Sequence, residues 1–165
     1  YDKSFDLIKR FNNVIITRTF SKVYGLAGVR LGWCYTSRKI ASILNKVKPP
    51  FNANTIALNI ASIALQDVQH LNRVINENNR NRKWFEKELK KLNIKCLPST
   101  ANFSFLECDQ NSNMAELIYN LLLKNGIVIR QLHSYGLPHC LRITIGTREE
   151  MEKTIDILTK SNFSS

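Results

Sequence analysis

The stretch "TFSKVYGLAGVRLGW", residues 19–33, gathers side chains able to do chemistry around one lysine. Thr19 and Ser21 carry hydroxyls, Lys22 a primary amine and Arg30 a planar fork of donors suited to phosphate. Gly25 and Gly28 permit close backbone approach and unusual dihedrals. A lysine so placed can bind phosphate as a point charge or form a Schiff base with a carbonyl. A strand-end lysine in solvent accounts for the same composition. The stretch is not a nucleotide P-loop, because no GxxxxGK[ST] is present. Two further arginines lie far downstream, Arg130 in "GIVIR" and Arg142 in "CLRITIG". In "LRITI", Leu141, Ile143 and Ile145 share one face of a strand, while Arg142 and Thr144 share the other. An arginine opposite a core face reaches either a cleft or solvent. His70, His133 and His139 show no metal-ligand spacing and are expected to be structural or solvated.

The elements that position these residues follow from periodicity. "SFDLIKRF" predicts a short helix with Ser4 as its cap. "NVIITRTF" predicts a strand, and the run Val14-Ile15-Ile16 suggests burial on both faces. "GVRLGWCY" predicts a second strand, adjacent to the first. "SRKIASILNKV" predicts a helix ended by Pro49-Pro50. "NTIALNIASIALQD" is apolar on most sides, hence a buried helix. A long helix runs from Val68 to about Leu92, its apolar face interrupted by Asn78 and Arg82. Beyond it, "IKCL", "NFSFLEC", "GIVIR" and "CLRITIG" predict strands. "NMAELIYNLLLKNG" predicts an amphipathic helix stopped by Gly126. "TREEMEKTIDILTK" predicts a last helix capped by Thr147.

Composition sets the class. Of 165 residues, 44% are apolar, enough to bury a core. No apolar run approaches the roughly 20 residues of a membrane span, and "YDKSFDLIKR" has no signal-peptide pattern. The four cysteines form no CxxC, which suits free thiols in a reducing cytoplasm better than disulfides or zinc. The net charge of +11 raises a nucleic-acid hypothesis. The charges are nonetheless spread along the chain, and the cluster Arg80 to Lys91 is interleaved with Glu86 and Glu88 as on a solvated helix face. The surplus also suits an anionic small molecule. Neither a nucleic-acid nor a membrane partner is expected, and no metal.

The segment around Lys22 resembles the cofactor-lysine segment of fold-type I aminotransferases that use pyridoxal 5'-phosphate (PLP). There a serine precedes the lysine and an arginine follows eight positions later, as Ser21, Lys22 and Arg30 do. The tail "GIVIRQLHSYGLPHCLRITIGTREEME" and "STANF" at 99–103 are similar to the histidinol-phosphate aminotransferase family. The resemblance covers essentially the whole chain. It implies an α/β fold: residues 1–84 as the end of a large, mainly parallel-sheet PLP-binding domain, and residues 85–165 as a small α+β C-terminal domain. It implies that Lys22 holds PLP covalently and acts as the catalytic base, with Thr19, Ser21 and Arg30 on the cofactor phosphate. Arg142 would take the substrate α-carboxylate and Arg130 the substrate's anionic end. The implied reaction is transamination between L-histidinol phosphate and 2-oxoglutarate, with glutamate as amino donor, in histidine biosynthesis by a cytoplasmic homodimer.

The family's phosphate loop, ring-stacking aromatic, asparagine and aspartate–tyrosine pair lie upstream of the lysine strand, and neither Asp2 nor Asp6 is assigned to the pyridine. The chain is therefore expected to be a fragment or a truncated gene product, and the 165-residue segment alone is expected to be inactive. A threonine-phosphate-type decarboxylase, an aromatic aminotransferase and a non-catalytic basic binding module remain alternatives.

Overall fold

The computed structural model describes residues 3–161 and divides into two compact units, one up to Arg73 and one from Val74. The chain is α/β, and every strand pairing among the described residues is antiparallel.

The first unit opens with helix α1 (Lys3–Arg10) and continues with strands β1 (Ile15–Thr19) and β2 (Gly32–Thr36). Ser4 lies inside α1, not at its cap, and its Oγ accepts a hydrogen bond from Arg18 at 2.8 Å, which ties the helix to β1. β1 and β2 pair from Ile15 opposite Thr36 to Thr19 opposite Gly32. Gly32 is required there: a Cβ would lie 2.8 Å from the Arg18 carbonyl oxygen. The expectation of burial on both faces fails. Ile16 is buried, whereas Ile15 is 45% exposed, because successive side chains of a strand point to opposite faces.

Helices α2 (Arg38–Val47) and α3 (Thr55–Gln66) follow. Pro49 and Pro50 come directly after the α2 cap and cannot extend it. Asn54 caps α3 by accepting from the Ala57 N–H at 2.7 Å. The predicted burial of α3 is confined to Ala57 and Ala61. These two sit one turn apart on one stripe, while Ile56 and Ile63 are 72% and 70% exposed. Hydrophobicity all round the helix does not by itself bring neighbours to every side.

Helix α4 (Val68–Lys91) runs from the first unit into the second, where strands β3 (Lys95–Leu97), β4 (Phe103–Glu107), β5 (Arg130–Leu132) and β6 (Leu137–Thr144) form a sheet in the order β3-β4-β6-β5. Helices α5 (Met114–Lys124) and α6 (Arg148–Lys160) complete it. One sheet face carries Leu106, Leu141 and Ile143 into a core with Phe85 and Leu89 of α4, Ile118 and Leu122 of α5, and Ile155 and Leu158 of α6. Each such side chain contributes about 1.5–3 kcal/mol by leaving water. The opposite face carries Phe103, Phe105, Arg130, Arg142 and Thr144 and stays partly open to solvent.

The predicted strand "GIVIR" begins only at Arg130. Gly126, at φ +78°, and Ile127 are taken up in closing α5: their N–H groups donate to the Leu123 and Leu122 carbonyls at 3.0 and 2.8 Å. α6 starts with a full capping box between Thr147 and Glu150.

Candidate cofactor and substrate site

In the first unit, Lys22 follows the end of β1 by three residues. Phe20 is buried and its ring sits 5.2 Å from that of Tyr24, which anchors both flanks of the lysine. The Gly25 N–H donates to the Lys22 carbonyl at 2.9 Å, and the Leu26 N–H to that of Phe20 at 3.0 Å. Gly25 has φ +67°, which a glycine adopts without steric cost. Thr19 Oγ1 accepts from the Ser21 N–H at 3.0 Å, which leaves its own proton free to donate outward.

A 3-10 turn at Ala27–Val29 then delivers Arg30, whose backbone is left-handed at φ +57°. For a non-glycine residue that costs of order 1–3 kcal/mol, and such strain concentrates at functional positions. Its guanidinium is held by a 2.6 Å bond to the Ala27 carbonyl. The Phe20 N–H donates to the Leu31 carbonyl at 3.3 Å, so Lys22 and Arg30 belong to one end of the β1–β2 hairpin. Both are exposed, and among the described residues no carboxylate pairs with either.

In the second unit, Arg130 of β5 lies directly opposite Arg142 of β6. Like charges placed opposite each other destabilise a strand pair. Arg130 leans on Tyr135, with its guanidinium 5.4 Å from the ring centre and a 3.0 Å bond to the phenol oxygen. Arg142 lies 5.1 Å above the centre of the Phe103 ring. Its Nε is buried and has no hydrogen-bond partner among the described residues. No described carboxylate neutralises either guanidinium, so the open sheet face presents two cations an anion could share. Glu107, on the same face, is committed elsewhere: it pairs with Lys95 across β3–β4, and that hydrogen-bonded ammonium holds its carboxyl below the usual range. Burial, with Glu86 and Cys108 adding, pushes the Cys96 thiol up to about 12. Burial followed by Cys140 pushes Cys108 to about 11, so neither thiol is a ready nucleophile at neutral pH.

The structure thus brings Thr19, Ser21, Lys22 and Arg30 to one hairpin end, and Arg130 and Arg142 to one cross-strand pair. His133 and His139 lie elsewhere: His133 opens the 3-10 turn at 133–135, and His139 sits beside Gln110. Sequence reasoning missed a buried polar row on α4. Asn78 and Arg82 donate to the Ala101 carbonyl at 3.2 and 2.8 Å, and Asn81 donates to that of Gly146 at 3.0 Å. The available signal was the spacing of Asn78, Asn81, Arg82 and Glu86, which puts all four on one face of a helix.

The chain is an α/β protein with two clusters of cations that lack carboxylate partners among the described residues. It belongs to the aminotransferase class I and II family, whose model matches residues 3–158. It is 39% identical over 155 residues to histidinol-phosphate aminotransferase 2 of Legionella pneumophila (strain Lens), covering 94% of this chain and 41% of that protein. The crystal structure of the histidinol-phosphate aminotransferase from Clostridium acetobutylicum superposes with a TM-score of 0.85 at 28% identity, over 95% of this chain and 48% of that one. The histidinol-phosphate aminotransferase from Sinorhizobium meliloti, solved in complex with pyridoxal-5'-phosphate, superposes at 0.79 with 29% identity, over 91% of this chain and 42% of that one. The chain spans less than half the length of these relatives.

Proposed function

We propose that this chain contributes the cofactor-lysine and substrate-arginine segments of a PLP-dependent aminotransferase that exchanges the amino group between L-histidinol phosphate and 2-oxoglutarate. The observation that carries the proposal is the hairpin end holding Lys22 and Arg30 without a carboxylate partner among the described residues, in a chain 39% identical to a histidinol-phosphate aminotransferase. The donor set fits PLP. Arg30 supplies paired N–H donors to its phosphate, the hydroxyls of Thr19 and Ser21 add two more, and Lys22 supplies an amine for its aldehyde. When bound, PLP supplies an electron sink for the pair left on the substrate carbon. Lys22 Nζ then carries the proton to and from that carbon as a general base and acid.

Arg142 and Arg130 orient the amino substrate. L-histidinol phosphate carries a phosphate ester where glutamate carries its α-carboxylate, so the assignment of Arg142 to an α-carboxylate applies to the glutamate half of the cycle. A cross-strand pair of guanidinium groups suits both anions, because each offers planar or tripodal oxygens to bidentate donors. In this proposal residues 1–84 serve the cofactor and 85–165 the substrate anion. We extend it to a homodimer in the cytoplasm. The exposed apolar side chains of α3 support self-association, and four free thiols suit a reducing compartment. Among the described residues, no helix is long and apolar enough to cross a membrane.

The test is to incubate the protein with PLP, reduce with borohydride and map the phosphopyridoxyl peptide. The label is expected on Lys22 and absent from Lys22→Ala. A label on another lysine in the wild-type protein refutes the assignment.

A further inference from the structure

The polar row on α4 donates to the link that precedes β4, whose Phe103 lies beneath Arg142. Arg82 is only 6% exposed, yet it spends NH1 on the Ala101 carbonyl at 2.8 Å, and Asn78 donates to the same oxygen at 3.2 Å. Ala101 belongs to the short link 98–102 between β3 and β4. That link is cross-braced: the Ala101 N–H donates to Ser99 Oγ at 3.1 Å, and the Ser99 hydroxyl donates to the Phe103 carbonyl at 2.8 Å. Its far side is held to the chain after β6 by the Ile145 N–H, which donates to the Asn102 carbonyl at 2.9 Å. The next residue is Phe103, opposite Thr144 and 5.1 Å beneath the Arg142 guanidinium. One turn along α4, Glu86 lies 3.7 Å from Arg82 Nε and accepts from the buried Ser104 hydroxyl at 3.1 Å.

Burying a guanidinium is a poor route to stability, since apolar residues of similar volume often serve a fold as well or better. What Arg82 and Asn78 supply that an apolar pair cannot is a fixed position for one carbonyl oxygen. We infer that Arg82, seconded by Asn78, is a positioning residue for the Arg142 guanidinium, acting through the Ala101 carbonyl and the Phe103 ring. The inference rests on the functional reading above, in which Arg142 receives the substrate anion. The role differs from that of Arg142 itself: Arg82 touches no substrate and sets only where the receiving guanidinium sits.

The experiment uses 15N-labelled protein and the Nε–Hε signal of Arg142, assigned by its loss in Arg142→Lys. In the ligand-free wild-type protein this proton experiences the ring current of Phe103. In Arg82→Met the signal is expected to move away from that position while the core methyls of Leu89 and Leu141 keep theirs. The dissociation constant for 2-oxoglutarate is expected to rise about 2- to 10-fold, the effect of one net hydrogen bond. Arg82→Lys, whose ammonium can donate to the same carbonyl, is expected to restore most of both. An unmoved Arg142 signal in a folded Arg82→Met overturns the inference, as does equal loss in the lysine and methionine variants. Should Arg82→Met not fold, Asn78→Ala carries the same readout with a smaller displacement. If a catalytically competent protein containing this chain takes no 2-oxoglutarate, the functional reading fails on its own, and the ligand-free signal still decides the positioning role.

Discussion

Replacing Arg142 with alanine should separate ligand binding from folding. In the ligand-free protein two terms oppose each other. Arg130 stands directly opposite in the neighbouring strand, and like charges so paired destabilise a sheet by about 0.2–1 kcal/mol. Against this, the contact of Arg142 with the Phe103 ring is worth about 0.5–1 kcal/mol at a half-exposed site. Arg142→Ala should therefore change stability by less than about 1 kcal/mol, since the two terms nearly cancel. Substrate binding has no such compensation. Losing a charge-assisted bidentate pair costs about 2–5 kcal/mol, part of it from leaving the substrate anion unpaired. That corresponds to roughly 30- to 5,000-fold in kcat/KM. The assay combines urea unfolding with single-turnover kinetics of each half-reaction in a catalytically competent protein containing this chain. An unchanged kcat/KM for glutamate and histidinol phosphate refutes the role. So does a loss of several kcal/mol of stability, which would make Arg142 part of the scaffold.

The remaining predictions concern the scaffold around the two clusters. Gly32→Ala would place a Cβ 2.8 Å from the Arg18 carbonyl oxygen, so β1 and β2 must shift apart. The expected cost is about 1–3 kcal/mol by thermal unfolding, with a lower yield of borohydride-trapped label at Lys22; wild-type values for both would show that the hairpin absorbs the methyl. The thiols of Cys96 and Cys108, raised to about 12 and about 11, stay protonated in the fold after they ionise in the unfolded chain. Stability should thus fall as pH rises from the ordinary thiol range towards 11, and Cys96→Ala should flatten that slope in pH-dependent denaturation. Glu107 behaves oppositely. Lys95 depresses its titration in the fold, so its contribution is complete above the ordinary carboxylate range and is lost as pH falls through the lowered value. Glu107→Gln should remove that part of the acid limb.

Local signals in the sequence located most elements, because they report on interactions within a few residues. Thr147 announced the start of α6 as its cap, and Gly126 announced the end of α5 because few other residues take its positive φ. The alternation in "LRITI" placed Leu141 and Ile143 in the core and Arg142 on the opposite face, since the period of a strand is a property of the backbone itself. The spacing of Ser21, Lys22 and Arg30 carried the family resemblance, whereas the expected strand from Gly28 begins only at Gly32, because Val29 lies in a 3-10 turn and Arg30 is left-handed. Ser4 and Ile15 went differently from expectation because each depends on a partner: Ser4 on Arg18 of β1, Ile15 on what covers the second face of the hairpin.

Three features were decided only in three dimensions. Strand register put Arg130 opposite Arg142, and register depends on how β5 meets β6, across a bulge after Gln131. The partners of Asn78, Asn81 and Arg82 come from the turns around Ala101 and Gly146, distant in sequence, so what reads as a break in an apolar face becomes a set of donors to two distant carbonyls. The exposure of Ile56 and Ile63 on α3 follows from which neighbours the fold supplies. Sequence records what each side chain prefers to touch, while only the tertiary structure determines which groups stand within the 3–4 Å over which hydrogen bonds and packing act.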